Sequence, residues 1–197
     1  TSLAGLRQED RVVFDATHVE VQRWFTEELV DGVRIDHPDG LSSPAGYLAW
    51  LRQTVGPDAW IVIEKILAVD EALELSLPVD GTTGYDALRE IGGLFIDPAG
   101  RQALTDLVTS TGNDYHAMPE LARRLKAEAV TNTLESELRR LCRTIVGAVG
   151  ADHADLPEAV AGLVSHIGIY RSDYLALSSV LPIALAETAV ERPELAE

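Results

Sequence analysis

The sequence predicts a mostly helical fold that carries a small parallel β element. Two observations predict the β element and the helices around it. Two short runs, Val33-Arg34-Ile35-Asp36 and Trp60-Ile61-Val62-Ile63, flank a single helical pattern, which is the crossover that parallel pairing requires. From about Ala87 onward the apolar residues recur almost entirely at helical spacing. A third observation makes the chain globular: of 197 residues, 46% are hydrophobic and 24% charged, so wholesale disorder is excluded. Two regions are expected, residues 1–86 with mixed helix and strand signals and residues 87–197 as a helical subdomain.

The elements follow in order. Thr17-His18-Val19-Glu20 has capping-box spacing. Val21, Trp24, Phe25 and Leu29 then form an apolar stripe, so a helix is expected until Asp31-Gly32 breaks it. Val33-Arg34-Ile35-Asp36 reads as a strand, and His37-Pro38-Asp39-Gly40 is dense turn chemistry. Ser43 caps the next helix, with Pro44 at its first position and Tyr47, Leu48 and Leu51 on one face. Gly56-Pro57-Asp58 ends it. Trp60-Ile61-Val62-Ile63 is apolar throughout, as expected of a parallel strand covered on both faces, and Glu64-Lys65 closes it. The segment from Val79 to Asp86 reads as a polar turn.

Helices follow. Asp97-Pro98 is a cap with a first-turn proline leading to Leu104, Leu107 and Val108. Leu134, Leu138, Leu141, Cys142, Ile145 and Val149 make a long stripe, and Val160, Leu163, Val164 and Ile167 another. Residues 175–197 read as helix with a break near Pro182.

The charge balance excludes some partners. There are 32 Asp+Glu against 16 Lys+Arg, a formal charge of −16. Phosphate neutralisation needs clustered Lys/Arg, so neither nucleic acid nor an anionic membrane surface is expected as a partner. The single cysteine, Cys142, cannot form an intrachain disulfide, which fits a reducing, cytoplasmic compartment. No apolar run reaches the roughly 18 residues of a membrane span, and the N-terminal residues lack a signal-peptide pattern. The chain does not start with Met, and it is expected to begin within something longer.

Candidate chemistry gathers at the strand ends. Each strand of the βαβ unit is followed by a carboxylate, Asp36 and Glu64, and neighbouring parallel strands lie about 4.8 Å apart. Carboxyl groups roughly 5–5.5 Å apart suit a retaining glycosidase, in which one attacks and the other protonates the leaving oxygen. Arg34 points to the same face as Asp36 and is placed to keep it ionised. Glu64 follows four apolar residues, so desolvation would favour its acid role. The same residues also suit a structural reading, with Asp36 as a turn residue and Glu64-Lys65 as a solvated strand end.

Other features favour structure over chemistry. His37 and Asp39 beside Asp36 do not make up the three or four converging groups of a tight metal site, so no metal is expected. Gly81-Thr82-Thr83-Gly84 lacks the lysine pattern of a phosphate loop. Cys142 lies on a core stripe. His18 reads as a helix first-turn residue, and His116, His153 and His166 as surface or loop residues. The stripe over residues 134–149 is expected to pack within its own subdomain, an oligomer seam being the alternative.

The wording of the sequence adds a resemblance. Asp31-Gly32-Val33-Arg34-Ile35-Asp36-His37-Pro38-Asp39-Gly40-Leu41 resembles the fourth-strand Gly-x-Arg-x-Asp motif of the α-amylase superfamily. Its His-Pro-Asp-Gly-Leu continuation is similar to that of the maltooligosyltrehalose synthases. Trp60-Ile61-Val62-Ile63-Glu64-Lys65-Ile66-Leu67 resembles their fifth-strand motif, and Gly81-Thr82-Thr83-Gly84-Tyr85-Asp86 the segment that follows. Val13-Phe14 with His18, and Ile169-Tyr170-Arg171, are weaker matches.

The resemblance implies that residues 1–86 are part of a (β/α)8 catalytic barrel and residues 87–197 a helical subdomain or insertion, together an internal fragment. It implies an intramolecular transglycosylation of trehalose biosynthesis, in which the reducing-end α-1,4 linkage of a maltooligosaccharide becomes α,α-1,1. By the same resemblance Asp36 is the nucleophile, Glu64 the general acid/base and Arg34 the partner of Asp36. His37, Asp39, Lys65, Tyr85 and Asp86 are implied substrate contacts, and no cofactor is implied. The superfamily's Asp-x-x-x-Asn-His motif and its later His-Asp motif, which carries the third catalytic carboxylate, are absent. The isolated chain is therefore expected to be inactive and, with an apolar strand that lacks its covering neighbours, to self-associate or to bury its strands under its own helices. The alternatives are a non-catalytic helical domain and an α-glucan hydrolase of the same superfamily.

Overall fold

The computed structural model describes residues 5–195. The chain divides into two compact units: residues up to Leu94 together with Tyr174–Ala176, and Phe95–Asp173 together with the residues from Leu177 on. The predominance of helix and the small parallel sheet are as expected.

The first unit opens with α1 (Arg11–Thr17), capped by the Asp10 carboxylate, which accepts from the Val12 N–H at 2.9 Å. Next comes α2 (Val19–Thr26). The expected capping box is not formed: Thr17 ends α1, its hydroxyl donates back to the Val13 carbonyl at 2.9 Å, and His18 precedes α2 without a side-chain cap. A helix already in place upstream uses the hydroxyl before the next one can.

Then follow β1 (Gly32–Ile35), α3 (Pro44–Val55) and β2 (Trp60–Ile63). β1 and β2 pair in parallel, with Gly32 opposite Trp60 and Ile35 opposite Ile63, and α3 is the crossover between them. Gly32 is required there, because a Cβ would lie 2.4 Å from the Trp60 carbonyl oxygen. A third strand, β3 (Gly81–Thr82), pairs in parallel with β2 and corrects the expected polar turn. Its bonds are made by backbone alone: Asp80 N–H to the Ile61 carbonyl at 2.8 Å and Thr83 N–H to that of Ile63 at 2.9 Å. Pairing of that kind needs no alternating side chains, so no pattern announced it. α4 (Tyr85–Gly93) follows, with no buried residue.

Phe14, Pro38, Leu48, Leu51, Ile61 and Ile63 are fully buried and form the heart of this unit. Each large apolar side chain so buried contributes about 1.5–3 kcal/mol. Along β2, Ile61 and Ile63 are buried and Val62 is half-buried, whereas Trp60 is 63% exposed. Arg52, in the last turn of α3, fastens the loops around β2. Its guanidinium donates to the carbonyls of Pro57 (3.2 Å), Ala59 and Pro78 (3.1 Å) and to the Asp80 carboxylate (3.0 Å). Asp80 in turn accepts from the Ile61 N–H at 2.8 Å, and these contacts hold its carboxyl below the usual range.

The second unit contains α5 (Arg101–Ser110), α6 (Met118–Thr131), α7 (Glu135–Val149), α8 (Leu156–His166) and α9 (Val180–Glu191). Asp97 caps a short 3-10 turn, Pro98–Gly100, that leads into α5. Pro182 lies in the first turn of α9, where its missing N–H costs nothing, so the break falls before the helix. Val130, Leu138, Val160 and Ala161 form the core, with Cys142, Ile145, Leu156 and Val164 packed against it. Cys142 is thus a core residue, as expected. His166 corrects the expectation of a surface or loop histidine. It ends α8 with its side chain 8% exposed, 2.8 Å from the Glu191 carboxylate. Among the described residues, no helix is long and apolar enough to cross a membrane.

Candidate functional site

The site is built at the C-terminal end of the parallel sheet, where α/β folds place their chemistry. Ile35 and Ile63 are level in the ladder, and the Glu64 N–H continues it by donating to the Ile35 carbonyl at 2.7 Å. Asp36 and Glu64 therefore leave neighbouring strands at the same level. The Arg34 guanidinium lies 2.9 Å from the Asp36 carboxylate, with both side chains open to solvent. The Glu64 carboxylate accepts from the His37 N–H at 3.1 Å.

Local backbone makes this contact. His37 sits in the left-handed region at φ 45°, uncommon for a residue with a side chain, and turns the chain into a 3-10 turn, Pro38–Gly40. Gly40 is needed beneath it, since a Cβ there would come within 2.7 Å of the His37 ring.

Asp39 and Lys65 lie inside the unit. The Lys65 ammonium is 2.7 Å from Asp39 and 2.8 Å from Glu71, and the side chains of Lys65 and Glu71 are each 1% exposed. Tyr174 donates its hydroxyl to the other Asp39 oxygen at 3.1 Å, and its ring centroid lies 5.6 Å from the ammonium. Burial pushes the Lys65 ammonium down, but the hydrogen bonds and charges of Asp39 and Glu71 outweigh it, so its pKa stands above the ordinary lysine value. In this structure the charges of Asp39 and Lys65 face each other.

Tyr85 and Asp86 follow β3 at the same end of the sheet. Gly84, in the left-handed region at φ 86°, opens α4, and the Asp86 carboxylate accepts from the Thr82 hydroxyl at 3.2 Å. Tyr85 is 42% exposed.

His18 is more than a first-turn residue. Its ring stacks on Phe14 at 3.9 Å, one ring nitrogen lies 2.9 Å from the Phe14 carbonyl and the other 3.0 Å from the Tyr47 hydroxyl. A carbonyl only accepts, so Nδ1 carries the proton, and in the neutral ring Nε2 accepts from Tyr47. Burial holds the imidazole below its usual pKa.

Glu71, Glu74 and Tyr174 had no signal in the sequence. They are brought in from segments whose local pattern says nothing of these partners. Among the described residues, no cluster of three or more His, Cys, Asp or Glu side chains is placed to hold a metal ion. The second unit has two open clefts of about 680 and 650 Å³, one beside Leu107, Met118 and Arg124 and one beside Arg123, His166 and Glu191.

No protein-family model matches the chain. A Mycobacterium tuberculosis protein provisionally named maltooligosyl trehalose synthase is 66% identical over 196 residues, which is 100% of this chain and 26% of the relative. The solved maltooligosyltrehalose synthase of Arthrobacter ramosus superposes with a TM-score of 0.87 at 37% identity, over 96% of this chain and 24% of that one. A Sulfolobus tokodaii structure with a provisional name of the same kind gives 0.69 at 26% identity, over 96% of this chain and 25% of its own. The chain spans about a quarter of the length of the curated relatives it matches. Sequence and fold together align this chain with one quarter of a maltooligosyltrehalose synthase.

Proposed function

We propose that residues 1–86 form part of a (β/α)8 catalytic barrel and residues 87–197 a helical insertion. The enzyme they serve converts the reducing-end α-1,4 linkage of a maltooligosaccharide into an α,α-1,1 linkage. The observation that carries this reading is the pair Asp36 and Glu64, level at the C-terminal ends of adjacent parallel strands.

In the first half-reaction the Asp36 carboxylate attacks the anomeric carbon of the penultimate glucose unit, forming a glycosyl ester. The bond to the reducing-end glucose breaks, and Glu64 gives its proton to the departing oxygen. The freed glucose turns within the site. In the second half-reaction its anomeric hydroxyl loses a proton to Glu64 and attacks the anomeric carbon held in the ester, and the bond from that carbon to the Asp36 carboxylate breaks. No water is consumed, so the overall change is an isomerisation. Arg34, 2.9 Å from the Asp36 carboxylate, is the partner of Asp36 in this reading. His37, Tyr85 and Asp86 are the candidate sugar contacts that stand nearest the strand ends, and the third carboxylate comes from outside these 197 residues.

The test is Asp36→Asn in a full-length synthase that carries this sequence. An amide cannot form the ester, so turnover falls by more than a thousandfold while substrate binding survives, on the order of losses seen when a nucleophile is removed. A variant keeping a tenth of the wild-type rate rules out Asp36 as nucleophile. Trehalose-type product in place of free glucose separates this reading from that of a hydrolase.

A further inference from the structure

We propose that Glu71 and Tyr174 are positioning residues that set the relation between Asp36 and Glu64 by cross-linking the turn after β1 to the end of β2. The inference rests on the catalytic reading of Asp36 and Glu64. Asp39 lies three residues after Asp36, and Lys65 directly follows Glu64. Their ion pair at 2.7 Å therefore ties together the two segments that present the carboxylates. Neither side chain holds that geometry unaided. The Lys65 ammonium is held from behind by Glu71 at 2.8 Å, and Glu71 is itself held by the Ala68 N–H at 3.0 Å. Asp39 is held by the Tyr174 hydroxyl at 3.1 Å.

The segment bearing Tyr174 is pinned in turn. The Ala176 N–H donates to the Glu74 carboxylate at 3.0 Å, and the other Glu74 oxygen accepts from the hydroxyl and N–H of Ser76. What the network restrains is a strained turn. His37 is left-handed, Pro38 is fully buried, and the His37 N–H reaches the Glu64 carboxylate at 3.1 Å. Loosened at Asp39, that turn would shift the donor that orients Glu64. Small misplacements of a reacting group can cost about a hundredfold in rate.

Two measurements test this on Tyr174→Phe and Glu71→Gln, which keep ring and amide in place of hydroxyl and charge. In the 197-residue chain, hydrogen exchange at the His37 amide should accelerate at least tenfold, while amides of α3 and β2 keep their protection. In a full-length synthase carrying this sequence, kcat should fall about tenfold or more with KM within twofold, because ground-state sugar binding is not what the network controls. His37 exchange within twofold of wild type, or equal acceleration at every amide, overturns the proposal, since a merely stabilising network would do one or the other. The Asp36→Asn enzyme decides the catalytic reading separately: if it stays active, that reading falls, and the exchange result still decides whether the network holds the turn.

Discussion

Replacing Lys65 by methionine keeps the length of its apolar stem and removes only the charge. It would leave the Asp39 and Glu71 carboxylates facing each other across the vacated position, with side chains 7% and 1% exposed. Breaking a buried pair by removing one partner costs about 3–5 kcal/mol, because the two carboxylates lose the ammonium between them while they stay shut off from solvent. Against a domain stability of about 5–15 kcal/mol this is a large fraction. With a urea slope near 2 kcal/mol per molar, the midpoint should fall by about 1.5–2.5 M. The assay is selective, because Trp24, Trp50 and Trp60, the three tryptophans of the chain, all belong to the first unit. Their fluorescence follows that unit alone. The triple variant Lys65→Met, Asp39→Asn, Glu71→Gln removes all three charges and should recover most of the loss. A pH titration gives an independent check. The folded pKa of Lys65 is raised, so its contribution is fully present below the ordinary value of 10.5 and is lost as pH rises past it. A midpoint shift under about 0.5 M for Lys65→Met alone would refute the claim that the Lys65 ammonium stabilises these two buried carboxylates.

Other outcomes follow from the same geometry. Glu64→Gln should slow a natural maltooligosaccharide far more than a glycosyl fluoride, whose leaving group needs no proton; equal slowing removes Glu64 from the acid role. Arg52→Ala removes the donor from three loop carbonyls and leaves Asp80 with the Ile61 N–H, and it should cost about 2–4 kcal/mol in the tryptophan-monitored melt. A cost below about 1 kcal/mol would show that water replaces the guanidinium there. The 197-residue chain alone should give no trehalose-type product, because three strands cannot close a barrel around a sugar. Turnover near that of a full enzyme would overturn the fragment reading. In light scattering the chain should run heavier than a monomer, driven by exposed Trp60 and by Leu88 and Ile91 of α4. A strictly monomeric species would remove only that last expectation.

The sequence by itself determined what repeats locally or is spelled out in a motif. Residues 33–36 and Trp60–Ile63 announced two strands, and the single helix between them made their pairing parallel. Asp36, Glu64 and Arg34 could be named because a parallel ladder carries strand-end residues to one level. The helical stripe placed Cys142 in a core. Only the tertiary structure decided the rest. The two residues of β3 pair through backbone groups that every residue possesses. The capping box of Thr17 lost to a helix that Asp10 had already started. Lys65 and Asp39, exposed by type and adjacent to the catalytic candidates, are held inside by Glu71 and by Tyr174, which is 135 residues distant from Asp39 in the chain. No periodicity reaches that far, and a buried ion pair leaves no local trace, because its stability depends on which charges meet and on how completely water is shut out.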